Sequence, residues 1–178
     1  MNSDTVLVTG ASGYVAGHCM LRLLHDGYRV RGTLRSLDRA GEVRRWLTQA
    51  REGIDPGDAL SFVEAELTDP NAWDAAMGGV RYVLHVASPL PSSMPKDPDD
   101  LIVPAREGTL NVMRAASRAS VERVVQTSSL TQADWTDPNH KDNVPYTRSK
   151  TIAERAAWAE LPSLPRPLEW SPSILAWY

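Results

Sequence analysis

Thr5-Val6-Leu7-Val8-Thr9-Gly10-Ala11-Ser12-Gly13-Tyr14-Val15-Ala16-Gly17-His18 reads as a short apolar strand, a tight glycine turn and a helix start in immediate succession. Val6, Leu7 and Val8 form a continuous apolar run of the kind that parallel sheets bury on both faces. Gly10 and Gly13 let the backbone turn with no Cβ in the way. The free N–H groups and the dipole of the following helix make its N-terminus a seat for a phosphate group. The spacing, Gly-x-x-Gly-x-x-Ala-Gly, departs from the Gly-x-Gly-x-x-Gly dinucleotide fingerprint, so the flanking strand and helix must carry the reading. Without a ligand, the same residues make a plain glycine-rich strand-to-helix turn.

Outward from this turn the chain alternates between two periodicities. Val15, Cys19 and Leu23 recur at helical spacing as far as Gly27, and Arg29 to Leu34 predicts a second strand. A charged helical segment follows from about Leu37 to Arg51, with Val43 and Leu47 on one face. Leu60 to Val63 predicts a third strand, and Thr68-Asp69-Pro70 opens a short helix containing Trp73, Ala76 and Met77. Arg81 to Val86 is a fourth strand, and the Pro- and Ser-rich loop from Pro89 to Pro98 leads into a long helix from about Asp99 to Ala119. Arg123 to Thr127 is a fifth strand, ending in Ser128-Ser129. Strands separated by helices of this length predict βαβ units in a doubly wound parallel α/β sheet, with ligands gathered at the carboxyl ends of the strands.

Composition narrows the function classes. A chain of 178 residues, 42% hydrophobic and 23% charged, suits one ordinary globular domain. A domain of that size buries roughly 70% of its unfolded surface. A net charge of −3 gives no electrostatic reason to expect nucleic acid. Cys19 is the only cysteine, which excludes an intramolecular disulfide and the two-thiol metal patterns. Neither a secretory leader nor an apolar run of membrane-spanning length is apparent, so the expectation is a cytoplasmic protein with no membrane partner. His85 has no second ligand at a metal-binding spacing and reads as a packed core histidine, with no metal site expected.

The chemistry is concentrated in Tyr146-Thr147-Arg148-Ser149-Lys150, which begins a helix continuing through Ala157 and makes Tyr146 and Lys150 i,i+4 neighbours. A free phenol has a pKa of about 10 and is a poor acid or base at neutral pH. A nearby ammonium and a cationic nicotinamide stabilise the phenolate and turn tyrosine into a usable proton relay. A serine at the end of the fifth strand is placed to hydrogen-bond a substrate oxygen, and Lys150 to hold ribose hydroxyls. Arg35, just past the second strand, suits a 2′-phosphate and hence NADP, or is simply a solvated arginine. The Tyr–Lys pair gains its weight from the glycine turn upstream and the paired serines.

Six stretches together resemble a known family. They are Val8 to His18, Arg31-Gly32-Thr33-Leu34-Arg35-Ser36, His85-Val86-Ala87-Ser88-Pro89, Glu107-Gly108-Thr109-Leu110-Asn111, Val124 to Ser129, and Tyr146 to Lys150. The chain resembles the extended short-chain dehydrogenase/reductases of the NAD-dependent epimerase/dehydratase type, in the branch similar to dihydroflavonol 4-reductase, over about Thr5 to Trp158. The resemblance implies a Rossmann-type fold and an NADP(H)-dependent oxidoreductase acting on a CH–OH or carbonyl group of a small molecule. It implies Ser129, Tyr146 and Lys150 as active groups, with Ser128 as the fallback serine. It implies cofactor binding by Gly10, Ser12, Gly13, Tyr14, Val15, Arg35, Leu67, Val86, Ala87 and Ser88, together with Tyr146 and Lys150. A homodimer through the long helices is also an expectation of the family. Two alternatives stay open: an NADP-binding fragment with little or no turnover, and a sugar-nucleotide epimerase or dehydratase, against which the His-Val-Ala-Ser-Pro stretch argues.

The chain departs from the family pattern in three places. Ala16 stands where the family has its third turn glycine, which is tolerable if the helix sits slightly further from the strand. The segment between Ser129 and Tyr146, with Trp135-Thr136-Asp137-Pro138, looks shortened, and a misplacement of about 1 Å can cost roughly a hundredfold in rate. Residues 1–160 read as the dinucleotide-binding domain and 161–178 as an irregular Pro-rich tail, apparently truncated, without the last strands and the C-terminal substrate domain. Possible codons for residues 168–178, read two bases later, spell Gly-Val-Val-Ala-Val-Asn-Pro-Gly-Leu-Val, which resembles the strand expected there; the tail is thus read as a shifted frame.

Overall fold

The computed structural model describes residues 4–50, 56–89, 95–128 and 144–173. The strands are β1 (Thr5–Val8), β2 (Arg29–Leu34), β3 (Leu60–Glu64), β4 (Tyr82–His85), β5 (Arg123–Thr127) and β6 (Glu169–Ser173). The helices are α1 (Tyr14–His25), α2 (Ala40–Ala50), α3 (Trp73–Met77), α4 (Asp99–Arg118) and α5 (Pro145–Glu160). The sheet order is β3-β2-β1-β4-β5-β6, and every neighbouring pair runs parallel. The chain therefore winds outward from β1 to β3, then crosses back to lay β4 on the other side of β1. The doubly wound sheet expected from the sequence is present, and its order reverses between β1 and β4, where such sheets open a crevice.

Alternation along β1 shows how both faces are covered. Leu7 joins Trp73, Met77, Val83, Val112, Met113 and Val124 in one buried cluster, beneath α3 and α4. Val8, one residue on, joins Ala16, Met20, Val30, Val43 and Leu47 in the cluster beneath α1 and α2. Ala16 is fully buried in that second cluster, so the methyl in place of the family's glycine is packed in the core. At Gly108 in α4 a Cβ would lie 2.3 Å from Leu67 Cγ, so glycine there lets the helix close onto the loop after β3.

A buried polar chain ties the tips of β1 and β4 to α4. His85 is 3% exposed, with Nδ1 3.0 Å from Thr9 Oγ1 and Nε2 3.4 Å from Thr109 Oγ1. Thr9 Oγ1 also accepts the Ala87 N–H at 2.9 Å, so one hydroxyl links both strand tips. His85 is thus a satisfied core histidine. Burial, and secondarily the Lys150 charge, pushes its pKa down to about 3, so the imidazole is neutral.

The tail contains an element absent from the sequence reading. Glu169–Ser173 pairs in parallel with β5, from Arg123 opposite Glu169 to Thr127 opposite Ser173, where an irregular tail and a missing sixth strand were expected. The reason is tertiary. Trp170 is 7% exposed, sits in the core cluster and meets Trp158 edge-on at 4.9 Å, while Arg123 pairs with Glu169 at 2.5 Å. Leu161, Leu164 and Leu168 pack against the same cluster, and Pro172 is tolerated because β6 is an edge strand.

The buried His85 makes stability depend on pH. Its folded pKa lies below the unfolded value, so its contribution is complete above about pH 6.5 and is lost as pH falls toward about 3. Between pH 7.5 and pH 5.0 the wild type should lose about 2 kcal/mol more than His85→Gln in urea unfolding, at about 1.4 kcal/mol per pH unit below the unfolded pKa. Parallel curves for the two proteins would contradict this assignment.

Candidate active site

The crevice at the β1–β4 reversal is a cleft of about 860 Å³ along the carboxyl ends of the strands. Every sequence-expected site residue that lies among the described residues lines it. Gly10, Ser12, Gly13, Tyr14 and Val15 come from the turn and the start of α1, Arg35 from the end of β2, and Leu67 from the loop after β3. Val86, Ala87 and Ser88 follow β4, Ser128 follows β5, and Tyr146 and Lys150 come from α5. Ser129 lies outside the described residues, as does the segment around Trp135.

The turn is fixed by backbone bonds and by close approach. Gly10 has φ +70°, a left-handed conformation, and a Cβ on it would sit 3.1 Å from Ala87 Cβ. Its N–H donates to Thr33 Oγ1 at 3.1 Å, the Ala11 N–H to Thr33 O at 2.9 Å, and the Gly13 N–H to Gly10 O at 2.8 Å. Gly13 caps α1 with no side-chain hydrogen bond, and the first turn carries no acidic residue. Gly13 thus brings no side-chain cap, and the first turn of α1 brings no fixed negative charge to the cleft that its residues line.

On the opposite wall, Lys150 is only 7% exposed. Its ammonium lies 5.7 Å from the Tyr146 ring centroid and has no hydrogen bond or ion pair among the described residues. Burial pushes Lys150 down to about 8 and pushes the Tyr146 phenol up. The sequence reading expected the ammonium to lower the phenol; in the protein alone, loss of solvent prevails at both groups. At the tip of β5 the Ser128 hydroxyl donates to Glu154 Oε2 at 2.9 Å.

Several lining residues were not singled out by the sequence: Thr33, Glu66, Trp73, Pro104 and Thr127. Thr127 ends β5 and Thr33 lies one residue before the end of β2, so their place in the topology was the available signal. Asn111 on α4 donates to Leu67 O at 3.2 Å and holds that loop at the cleft. Among the described residues no group of three His, Cys, Asp or Glu is placed to hold a metal, and no helix is long and apolar enough to cross a membrane.

A helix N-terminus with no side-chain cap at Gly13 and a buried ammonium with no counter-charge among the described residues share one cleft. That donor set fits an anionic dinucleotide: the α1 amides would hold its pyrophosphate and Lys150 its ribose hydroxyls.

Comparison with known proteins agrees with this architecture. Residues 6–160 match the model of the NAD dependent epimerase/dehydratase family. Anthocyanidin reductase ((2S)-flavan-3-ol-forming) of Vitis vinifera is 35% identical over 89% of this chain and 52% of its own length. Cinnamoyl-CoA reductase 1 of Petunia hybrida is 36% identical over 90% of this chain and 50% of its own length. The solved structure of the yeast methylglyoxal/isovaleraldehyde reductase Gre2 complexed with NADPH superposes with a TM-score of 0.74 and 28% identity, over 94% of this chain and 56% of that one. Vestitone reductase from alfalfa superposes with a TM-score of 0.73 and 26% identity, over 93% of this chain and 55% of that one. The chain spans about half the length of the curated relatives it matches. With sheet order, glycine turn and the Tyr-x-x-x-Lys helix in agreement with that match, the chain belongs to the NAD dependent epimerase/dehydratase family.

Proposed function

We propose that this chain is an NADP(H)-dependent oxidoreductase that interconverts a carbonyl and a CH–OH group on a small molecule. The observation that carries the reading is Lys150: a buried ammonium beside a phenol, without an anionic partner among the described residues, in the same cleft as the uncapped start of α1. Burying a charge without compensation is expensive, and such expense concentrates at functional sites. The relatives named above, an anthocyanidin reductase, a cinnamoyl-CoA reductase and a methylglyoxal/isovaleraldehyde reductase, support the same class of reaction.

The nicotinamide supplies the hydride in reduction and accepts it in oxidation. Tyr146 Oη gives its proton to the nascent alkoxide and takes it back in the reverse direction, with Lys150 stabilising the phenolate in between. Ser129 is the hydroxyl that donates to the carbonyl oxygen and orients it toward Tyr146. Arg35, at the cleft edge beyond β2, pairs with a 2′-phosphate and favours NADP over NAD. Gly10, Ser12, Gly13, Tyr14 and Val15 bind the pyrophosphate, Leu67 bounds the adenine end, and Val86, Ala87 and Ser88 line the nicotinamide ribose.

NADPH fluorescence titration followed by oxidation assays with a panel of aldehydes and ketones tests this. Tyr146→Phe should bind NADPH within about twofold of wild type yet turn over at least about a hundredfold more slowly. Binding by the wild type without turnover of any carbonyl would reject the enzyme reading. Lys150 adds a pH signature, because its folded pKa of about 8 lies below the ordinary lysine value. Affinity for NADPH should be flat below pH 8 and weaken as the ammonium is lost above it, up to about tenfold per pH unit. Lys150→Met should bind more weakly with no such limb, and an identical limb in the variant would exclude Lys150 as its source.

A further inference from the structure

One buried titratable group takes no part in the chemistry above. Glu154 lies on α5 one turn beyond Lys150, 8% exposed, and its Oε2 accepts the Ser128 hydroxyl at 2.9 Å. The Ser128 hydroxyl is the donor of this bond, so its single proton lies on it. Ser128 lines the cleft, and its oxygen, whatever else it touches, keeps the character of an acceptor with two lone pairs.

Both partners are held in place. The Ser128 N–H donates to Ser173 O at 2.9 Å, which extends the β5–β6 ladder to the serine itself. Helix α5 is clamped to α4 by Arg114, whose guanidinium donates twice to Glu160, at 2.6 and 3.2 Å. A serine so anchored cannot turn its proton into the cleft without leaving a buried carboxylate unsatisfied, and that cost is larger than an ordinary hydrogen bond is worth.

We propose that Glu154 is a positioning residue that fixes Ser128 as a hydrogen-bond acceptor in the cleft, so that Ser128 reads an O–H or N–H group of the bound ligand and does not polarise its carbonyl. This rests on the oxidoreductase reading and deepens it, because the hydroxyl that donates to the carbonyl must then belong to a residue other than Ser128. The ligand donor has two sources: a hydroxyl beside the substrate carbonyl, or the amide of the nicotinamide.

Two pairs of probes distinguish them on the full chain. Butanone and 1-hydroxybutan-2-one differ by the hydroxyl; NADPH and its reduced 3-acetylpyridine analogue differ by the amide N–H. In one of the pairs the wild type should prefer the donor-bearing member about tenfold, in kcat/KM for the ketones or in Kd for the nucleotides. Ser128→Ala and Glu154→Ala should each bring that ratio to within about twofold of unity. Glu154→Gln, whose amide oxygen still accepts the hydroxyl proton, should retain most of the preference. A preference untouched by Ser128→Ala in both pairs overturns the proposal. So does a Ser128→Ala protein that slows both ketones by one common factor, the mark of a lost carbonyl donor. A double-mutant cycle on Ser128→Ala and Glu154→Ala, read by urea unfolding, separates this from a failed cofactor assignment. Additive losses mean that the Ser128–Glu154 bond is absent and overturn the proposal whatever NADPH does. Non-additive losses in a chain that binds neither nucleotide overturn the oxidoreductase reading, and with it the ligand assigned to Ser128.

Discussion

The architecture depends on how closely β1 and β4 approach each other where the sheet reverses. Gly10 and Ala87 meet so tightly that a single added Cβ would stand 3.1 Å from its neighbour, and the left-handed turn at Gly10 aims α1 away from that point. Thr9 supports the approach from below, taking the Ala87 N–H and hydrogen-bonding His85. Thr9 and His85 are both buried there, and their polar atoms satisfy one another. A larger residue at position 10 would press on Ala87 from a left-handed backbone that side chains rarely adopt.

Electrostatically, both walls of the cleft carry positive character among the described residues. The start of α1 carries the positive end of a helix dipole with no side-chain cap at Gly13, and Lys150 carries a charge whose cost of burial is visible in its lowered pKa. An anionic ligand relieves both at once. The same loss of solvent that lowers Lys150 raises Tyr146, so the isolated protein holds a neutral phenol beside a weakened ammonium. In the proposed mechanism this pair becomes a proton relay only when a further positive charge arrives beside the phenol.

Much of this was legible in the amino-acid order, for identifiable reasons. Val6 to Val8, Arg29 to Leu34 and Arg123 to Thr127 are compact runs bounded by turn residues, and the second and fifth strands begin and end where those runs do. The Tyr146–Lys150 pair was legible because helical spacing alone places both on one face. Strand β6 was not: Glu169-Trp170-Ser171-Pro172-Ser173 has no apolar run, and its pairing is imposed by Trp170 in the core and by the neighbouring strand. Thr33 and Asn111 were hidden for a related reason, since their importance arises from atoms far away in sequence, at Gly10 and at Leu67. Charge states were hidden too, because desolvation is a property of the packed molecule.

The central claim is that the start of α1 receives the pyrophosphate of a nicotinamide dinucleotide. Amide chemical shifts followed during NADPH titration test it most directly, in a chain of 19.6 kDa suited to backbone NMR. The account predicts saturable shifts led by the N–H groups of Gly13, Tyr14 and Val15. Saturable binding that leaves those three amides unmoved would contradict it.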